Sequence, residues 1–146
     1  MIFKKIYHII ASCFYIGNIK GGGTIVSLLF CLIAYFMRFG DIQMFLIFSN
    51  VLLLSSISIE YAGSFKGDDS KIVADELIGM IVSLLFLPHS VFIFASAFIL
   101  FRYMDIAKPL FIRKSENIKG TAGIIMDDII SGIAANALLR IVIWIL

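Results

Sequence analysis

The ionisable residues of this chain are gathered into four short islands, Asn18 to Thr24, Lys66 to Glu76, Arg102 to Lys119 and the pair Asp127 and Asp128, and the sequence between them is almost wholly apolar. The islands hold eight of the ten carboxylates. With 61% hydrophobic residues and apolar runs near the length of about 20 residues that crosses about 30 Å of hydrocarbon, the class is integral membrane protein. The 146 residues suffice for one small all-α domain over 1–146.

A net charge of +2 is too small for a polyanion partner, and the basic residues form no continuous stripe, so nucleic acid is excluded. Cys13 and Cys31 have neither metal-ligand spacing nor a partner motif and sit among apolar residues, which marks them for packing. Lys4 and Lys5 followed by an apolar stretch to Ile16 imitate a signal peptide. That stretch is short and interrupted by Tyr7 and His8, so an uncleaved N-terminal interfacial helix is expected.

Five apolar segments follow: Ile25 to Phe39, Met44 to Ile59, Leu77 to Leu87, Ser90 to Met104, and Ile124 to Leu146. The expected architecture is therefore a small polytopic bundle of four to five membrane segments. The third segment is short, so it must extend back through Asp75 and Glu76 or end inside the bilayer against its neighbours. With the N-terminus cytoplasmic, Lys4, Lys5, Lys20, Lys66, Lys71, Arg102, Lys108, Arg113, Lys114 and Lys119 all fall on the inner side, as the excess of positive charge on short cytoplasmic loops requires. Arg38 then lies at the outer turn, and Arg140, inside the last segment, snorkels outward or pairs within the bundle.

This threading returns four distant pieces of chain to one interface. Asp75, Glu76, Asp105, Asp127 and Asp128 meet there, too many acids to stand unpaired near hydrocarbon. Arg102 with Asp105 and Lys71 with Asp75 have spacings that permit pairing on a helix face, yet acids remain over. A hard divalent cation is the natural complement of an all-carboxylate donor set, Mg²⁺ ahead of Mn²⁺ or Ca²⁺. The alternative is that the acids are only helix N-caps and ion pairs favoured by the macrodipole. Arg102, Lys108 and Lys71 are the candidate phosphate-binding cations. The Gly21-Gly22-Gly23-Thr24 run has the composition of a turn that offers backbone N–H groups to an anion at a helix start.

The blocks "DDSKIVADELIGM" with "LLFLP", "FRYMDIAKPLFIR" and "KGTAGIIMDDIISGI" resemble the successive motifs of the phosphatidylglycerophosphatase A family, in unbroken order over roughly Gly17 to Ile133. The resemblance implies a Mg²⁺-dependent bacterial inner-membrane enzyme, multi-pass, with its active site on the cytoplasmic side. Such an enzyme removes the terminal phosphate of phosphatidylglycerophosphate to give phosphatidylglycerol. By position the resemblance places Asp75, Glu76, Arg102, Asp105, Lys108, Asp127 and Asp128 in the family's Mg²⁺-dependent phosphatase site and matches Thr24 to the threonine of its glycine-threonine turn. Together with the charge of Lys71 beside them, the expected roles are metal ligation by Asp75, Glu76, Asp105, Asp127 and Asp128, catalysis by Asp75, Glu76 and Asp128, and substrate binding by Thr24, Lys71, Arg102 and Lys108. There are departures: Gly22 stands where the family usually has proline, "GSL" after the turn is Val26-Ser27-Leu28, and the "GGxGIM" stretch reads Gly120-Thr121-Ala122-Gly123-Ile124-Ile125-Met126.

The implied chemistry is metal-assisted phosphomonoester hydrolysis, in which positioning and charge neutralisation do most of the work. One of Asp75, Glu76 and Asp128 activates water; an aspartyl-phosphate intermediate stays open. The chain lacks the spaced aspartate pattern of a CDP-alcohol phosphotransferase. A transport subunit would need carboxylates along a path across the membrane, whereas the outer half offers little beyond Arg38, Asp41, His89 and Arg140. A purely structural subunit would account for the helices and not for the clustered acids.

Overall fold

The computed structural model describes residues 2–62, 71–108 and 121–145. Lys66, Arg113, Lys114 and Lys119, which carry part of the orientation argument, lie outside the described residues. All regular structure within them is helical: α1 (Ile2–Ala11), a single 3-10 turn (Ile16–Asn18), α2 (Gly22–Met37), α3 (Asp41–Ala62), α4 (Ala74–Leu84), α5 (Val91–Ala107) and α6 (Thr121–Ile145).

The shortest of the five helices after α1 is also the most enclosed. In α4 every residue except Glu76 and Leu77 is buried, because α2, α3, α5 and α6 all pack around it. Its 11 residues rise only about 16 Å, so it ends within the bundle, where its last carbonyls have no intrahelical donors. Asn136 and Arg140 of α6 supply them. Asn136 Nδ2 donates to the carbonyls of Val82, Ser83 and Leu85 at 3.3, 3.1 and 2.9 Å. Arg140 Nη2 donates to those of Leu85 and Phe86 at 3.1 and 3.0 Å, while its Nε donates to Asn136 Oδ1 at 2.8 Å. Of the two fates expected for Arg140, pairing within the bundle is the one observed. The third segment does extend back through Asp75 and Glu76, as one of its two alternatives had it, and α4 stops short of Leu87 against α6.

The other end of α4 is fixed through the N-terminal region. Helix α1 packs on α3, and after it the chain makes a tight turn in which Cys13, Phe14 and Tyr15 all take positive φ, at 45°, 57° and 67°. Non-glycine residues adopt this conformation only where hydrogen bonds over-determine it. Here Phe14 N–H donates to Ile9 O at 2.8 Å, Ser12 Oγ donates to His8 O at 2.7 Å, and Tyr15 N–H donates to Ser12 Oγ at 3.2 Å. Val73 N–H then donates to Ala11 O at 3.1 Å, which anchors the start of α4 to the end of α1. Because α4 begins at Ala74, Lys71 precedes the helix and does not share a helix face with Asp75, contrary to the spacing argument.

Among the described residues two helices, α3 and α6, are long and apolar enough to cross a membrane, fewer than the four to five spans expected from the sequence. Helix α2 is apolar but has 16 residues, a rise of about 24 Å. Arg102 and Asp105 interrupt the apolar run of α5 in its last two turns. The outward faces are apolar nonetheless, with Leu28, Leu32, Ile33, Phe36, Leu53 and Ile133 among the exposed side chains. So many exposed apolar side chains mark a surface that meets something other than water.

Candidate active site

Helices α4 and α6 approach to backbone contact at one pair of glycines. A Cβ on Gly132 would collide with the Gly79 carbonyl oxygen, and one on Gly79 would stand 2.7 Å from the Asp128 carbonyl oxygen and collide with the Phe101 ring. Small residues permit this closeness between helices that have little water to drive them together. Asp75 lies four residues before Gly79, and Asp128 four before Gly132. Side chains four apart share a helix face, so the crossing sets the two aspartates side by side one turn away.

Asp75, Glu76 and Asp128 thereby bring ligand oxygens within 4.8 Å of one another. Asp75 and Asp128 are buried, at 8% and 4% exposure. Asp75 Oδ1 accepts the Glu76 backbone N–H at 3.0 Å. Glu76 Oε2 and Asp128 Oδ1 are buried and have no hydrogen-bond partner among the described residues. A buried carboxylate oxygen without a donor costs desolvation that nothing returns. Two of them converging with Asp75 make an all-oxygen donor set placed to hold a metal ion, and a hard one by its chemistry.

The remaining two acids of the expected set have cationic partners. Arg102 Nη1 stands 2.6 Å from Asp105 Oδ2, and Lys108 Nζ is 3.1 Å from Asp127 Oδ2. Both pairs are largely enclosed, with side-chain exposures from 14% to 28%. Asp105 also lies against Asp128, so the Arg102 pair adjoins the acid trio. Arg102 Nε is buried and has no hydrogen-bond partner among the described residues. Helix α5 ends at Ala107, and Lys108 turns out of it in the left-handed conformation, φ 40°, which aims its side chain back toward α6.

The start of α2 closes this cluster. Gly21 takes φ 79° as its N-cap and offers no side-chain cap. A Cβ on Gly23 would collide with the Glu76 carboxylate, and one on Gly17 with the Lys71 carbonyl. Lys71 and Lys20 are exposed, and both line a cavity that Glu76 and Arg102 also line. Thr24 sits exposed on the first turn of α2 and does not line that cavity. Lys20 is the residue that motif reasoning passed over. The signal available was its position directly before three glycines.

Cys13 lies near this end of the bundle. Its thiol is pushed up to about 12, by burial first and then by the charges of Asp75 and Glu76. It is therefore a protonated packing group and no nucleophile.

Comparison with known proteins supplies a family. The family model described as phosphatidylglycerophosphatase A matches residues 9–143. The chain belongs to that family. A protein of Bacteroides thetaiotaomicron named "Putative phosphatidylinositol-3-phosphatase" is 39% identical over 82 residues, covering 54% of this chain and 52% of the relative. The protein of Escherichia coli named phosphatidylglycerophosphatase A is 39% identical over 74 residues, 49% of this chain and 43% of the relative. The chain thus spans about half the length of the curated relatives it matches. No solved structure matches this family member.

Proposed function

We propose that this chain, as a single domain, is a phosphatase of the bacterial inner membrane that converts phosphatidylglycerophosphate to phosphatidylglycerol at the cytoplasmic face. The observation that carries the reading is the meeting of Asp75, Glu76 and Asp128, two of them with buried oxygens that have no hydrogen-bond partner among the described residues, beside Arg102 and Lys108 at one end of an apolar helical bundle. Family membership names the reaction class. The five apolar helices from α2 to α6 lie in the bilayer in this reading, the shorter ones bounded by Arg102, Asp105 and the Asn136–Arg140 cap.

Asp75, Glu76 and Asp128 would hold Mg²⁺, with Asp105 and Asp127 as neighbours that fix the two cations. Bound there, Mg²⁺ supplies charge neutralisation at the phosphate and lowers the pKa of water. Arg102 is suited to a bidentate grip on the phosphate, using the Nε that has no partner among the described residues. Lys108, held by Asp127, adds a point charge. One carboxylate of the trio takes the proton of the attacking water. As the new P–O bond forms, the ester bond to the glycerol breaks, and the leaving alkoxide takes a proton, so that one water is consumed per phosphate released.

A second substrate is favoured by one observation, the printed name of the Bacteroides relative: phosphatidylinositol 3-phosphate, also a lipid with a terminal phosphomonoester. The test is phosphate release by detergent-purified protein from both lipids, with Mg²⁺ or with chelator, beside Asp75→Asn and Asp128→Asn. Release from phosphatidylglycerophosphate that needs Mg²⁺ and falls at least about 100-fold in folded variants is expected. Faster release from the inositol lipid would move the assignment to that substrate. No release from either would leave the acids as a structural or transport feature.

A further inference from the structure

The acids, Arg102 and Lys108 take up one phosphate, yet the cavity beside them is larger than one phosphate needs. It has a volume of about 820 Å³, near the upper end for small-molecule sites. Glu76 and Arg102 form its boundary with the acid trio, and the rest carries Lys20, Lys71 and the Gly21–Gly23 turn. The character of this second lobe is opposite to that of the trio. Two of its cations, Lys20 and Lys71, are exposed, and its backbone is the start of a 16-residue helix whose N-cap, Gly21, offers no side-chain cap. The N–H of Gly22 is taken by Ile19 O at 2.9 Å. Those of Gly23 and Thr24 belong to the first turn, where a helix supplies no acceptor of its own.

We infer that this lobe binds the phosphodiester of the lipid headgroup, the phosphate that is retained, so that the protein recognises two phosphates and not one. The inference rests on the phosphatase reading above. A phosphodiester carries one negative charge and no acidic proton, which suits ammonium groups and backbone N–H donors better than a metal. The two lobes share a wall, because Gly23 touches Glu76 and Gly17 touches the Lys71 carbonyl. Their separation is thus built into the packing. The diester is also the phosphate that carries the diacylglycerol, so its lobe must open toward hydrocarbon. The same stretch of chain exposes Phe14, Tyr15 and Ile19, at 83%, 47% and 55%, an apolar margin along which acyl chains can leave.

The consequence is selectivity for headgroups with both a diester and a terminal monoester over phosphatidic acid, which has only the monoester. The test uses the full chain in detergent and native mass spectrometry of bound lipid. The probes are phosphatidylglycerol, which has only the diester, and phosphatidic acid. Wild type and Asp128→Asn are expected to retain phosphatidylglycerol. Lys20→Ala is expected to weaken it about five- to tenfold, the scale of one partly exposed charged contact, with Lys20→Arg restoring most of it. Phosphatidic acid binding should not follow the Lys20 variants. In turnover, Lys20→Ala should raise KM for phosphatidylglycerophosphate by a similar factor with kcat nearly constant.

Three results would overturn the inference: no binding of phosphatidylglycerol by wild type, equal losses for both lipids in Lys20→Ala, or full displacement of phosphatidylglycerol by millimolar inorganic phosphate. The last would mean that the lobe accepts any phosphate oxyanion. The binding arm needs no turnover. Failure of the phosphatase reading would instead appear as absent phosphate release from a wild type that still binds diester lipid.

Discussion

A Cβ on Gly132 would run into the carbonyl oxygen of Gly79, and this closeness decides where the acids stand. Asp75 and Asp128 each precede their glycine by four residues, so any wedge at the crossing separates them. Gly132→Ala is expected to destabilise the protein by about 1–3 kcal/mol, the usual cost of overfilling a packed contact. Activity should fall further than stability does, because the donor set opens. Thermal unfolding with and without Mg²⁺ checks this. Loss of the Mg²⁺-dependent shift in a variant that still melts cooperatively is the expected result, and an unchanged shift would break the link between crossing and site.

The acid trio is arranged at the expense of the metal-free fold. Three carboxylates within 4.8 Å repel one another, and the buried Asp128 Oδ1 has no donor among the described residues. Asp128→Asn keeps the shape and removes one charge. It should raise the unfolding temperature in chelator while abolishing stabilisation by Mg²⁺ and lowering turnover by about two orders of magnitude or more. Differential scanning fluorimetry under both conditions separates this from a variant that is simply damaged, which would melt lower in each.

Much of the candidate site's convergence was legible from the chain. The islands of charge, joined by helices that return to one end, identify Asp75, Glu76, Arg102, Asp105, Lys108, Asp127 and Asp128, and the structure brings these residues to one end of the bundle. What a linear reading could not supply is rotation. Adjacent helical residues point about 100° apart, so only one of Asp127 and Asp128 can face Asp75. The choice of Asp128 follows from Gly132 as the contact face. Spans counted by hydropathy also overshot, because α4 ends on side chains of α6, more than 50 residues away, and no local signal encodes such a cap. Lys71 misled for a related reason: the helix it was placed on starts three residues later, at Ala74.

Cys13 offers a pH test of the environment around the acids. Its thiol is pushed up to about 12, by burial and then by Asp75 and Glu76, so the reactive thiolate is scarce at neutral pH. Alkylation by iodoacetamide should be slow at pH 8 and rise about tenfold per pH unit without reaching a plateau below pH 10. The sign follows from the cause, since a raised value means that the neutral form is the one favoured by the fold. Mass spectrometry of the labelled peptide measures it. Substitution of Asp75 by Asn should speed labelling at fixed pH, because one of the two neighbouring negative charges is gone.

Asn136 and Arg140 stand at the far end of α4 from the acids, and their role is to satisfy the carbonyls on which that buried helix ends. Arg140→Met removes the donor to Leu85 and Phe86 while keeping much of the apolar stem. Leu85 O keeps its bond from Asn136, but the loss of the Arg140 bond at Phe86 O should cost about 1–3 kcal/mol, and Asn136→Leu, which removes three donated bonds, should cost at least as much. Arg140→Lys should recover only part of the loss, because a single ammonium cannot serve Asn136 and two carbonyls in the fixed geometry of a guanidinium. In each variant KM should stay near its original value, since the groups proposed to bind phosphate lie at the other end. A KM that rises together with falling stability would mean that the cap also sets the position of Asp75 and Glu76, through α4 as a rigid rod.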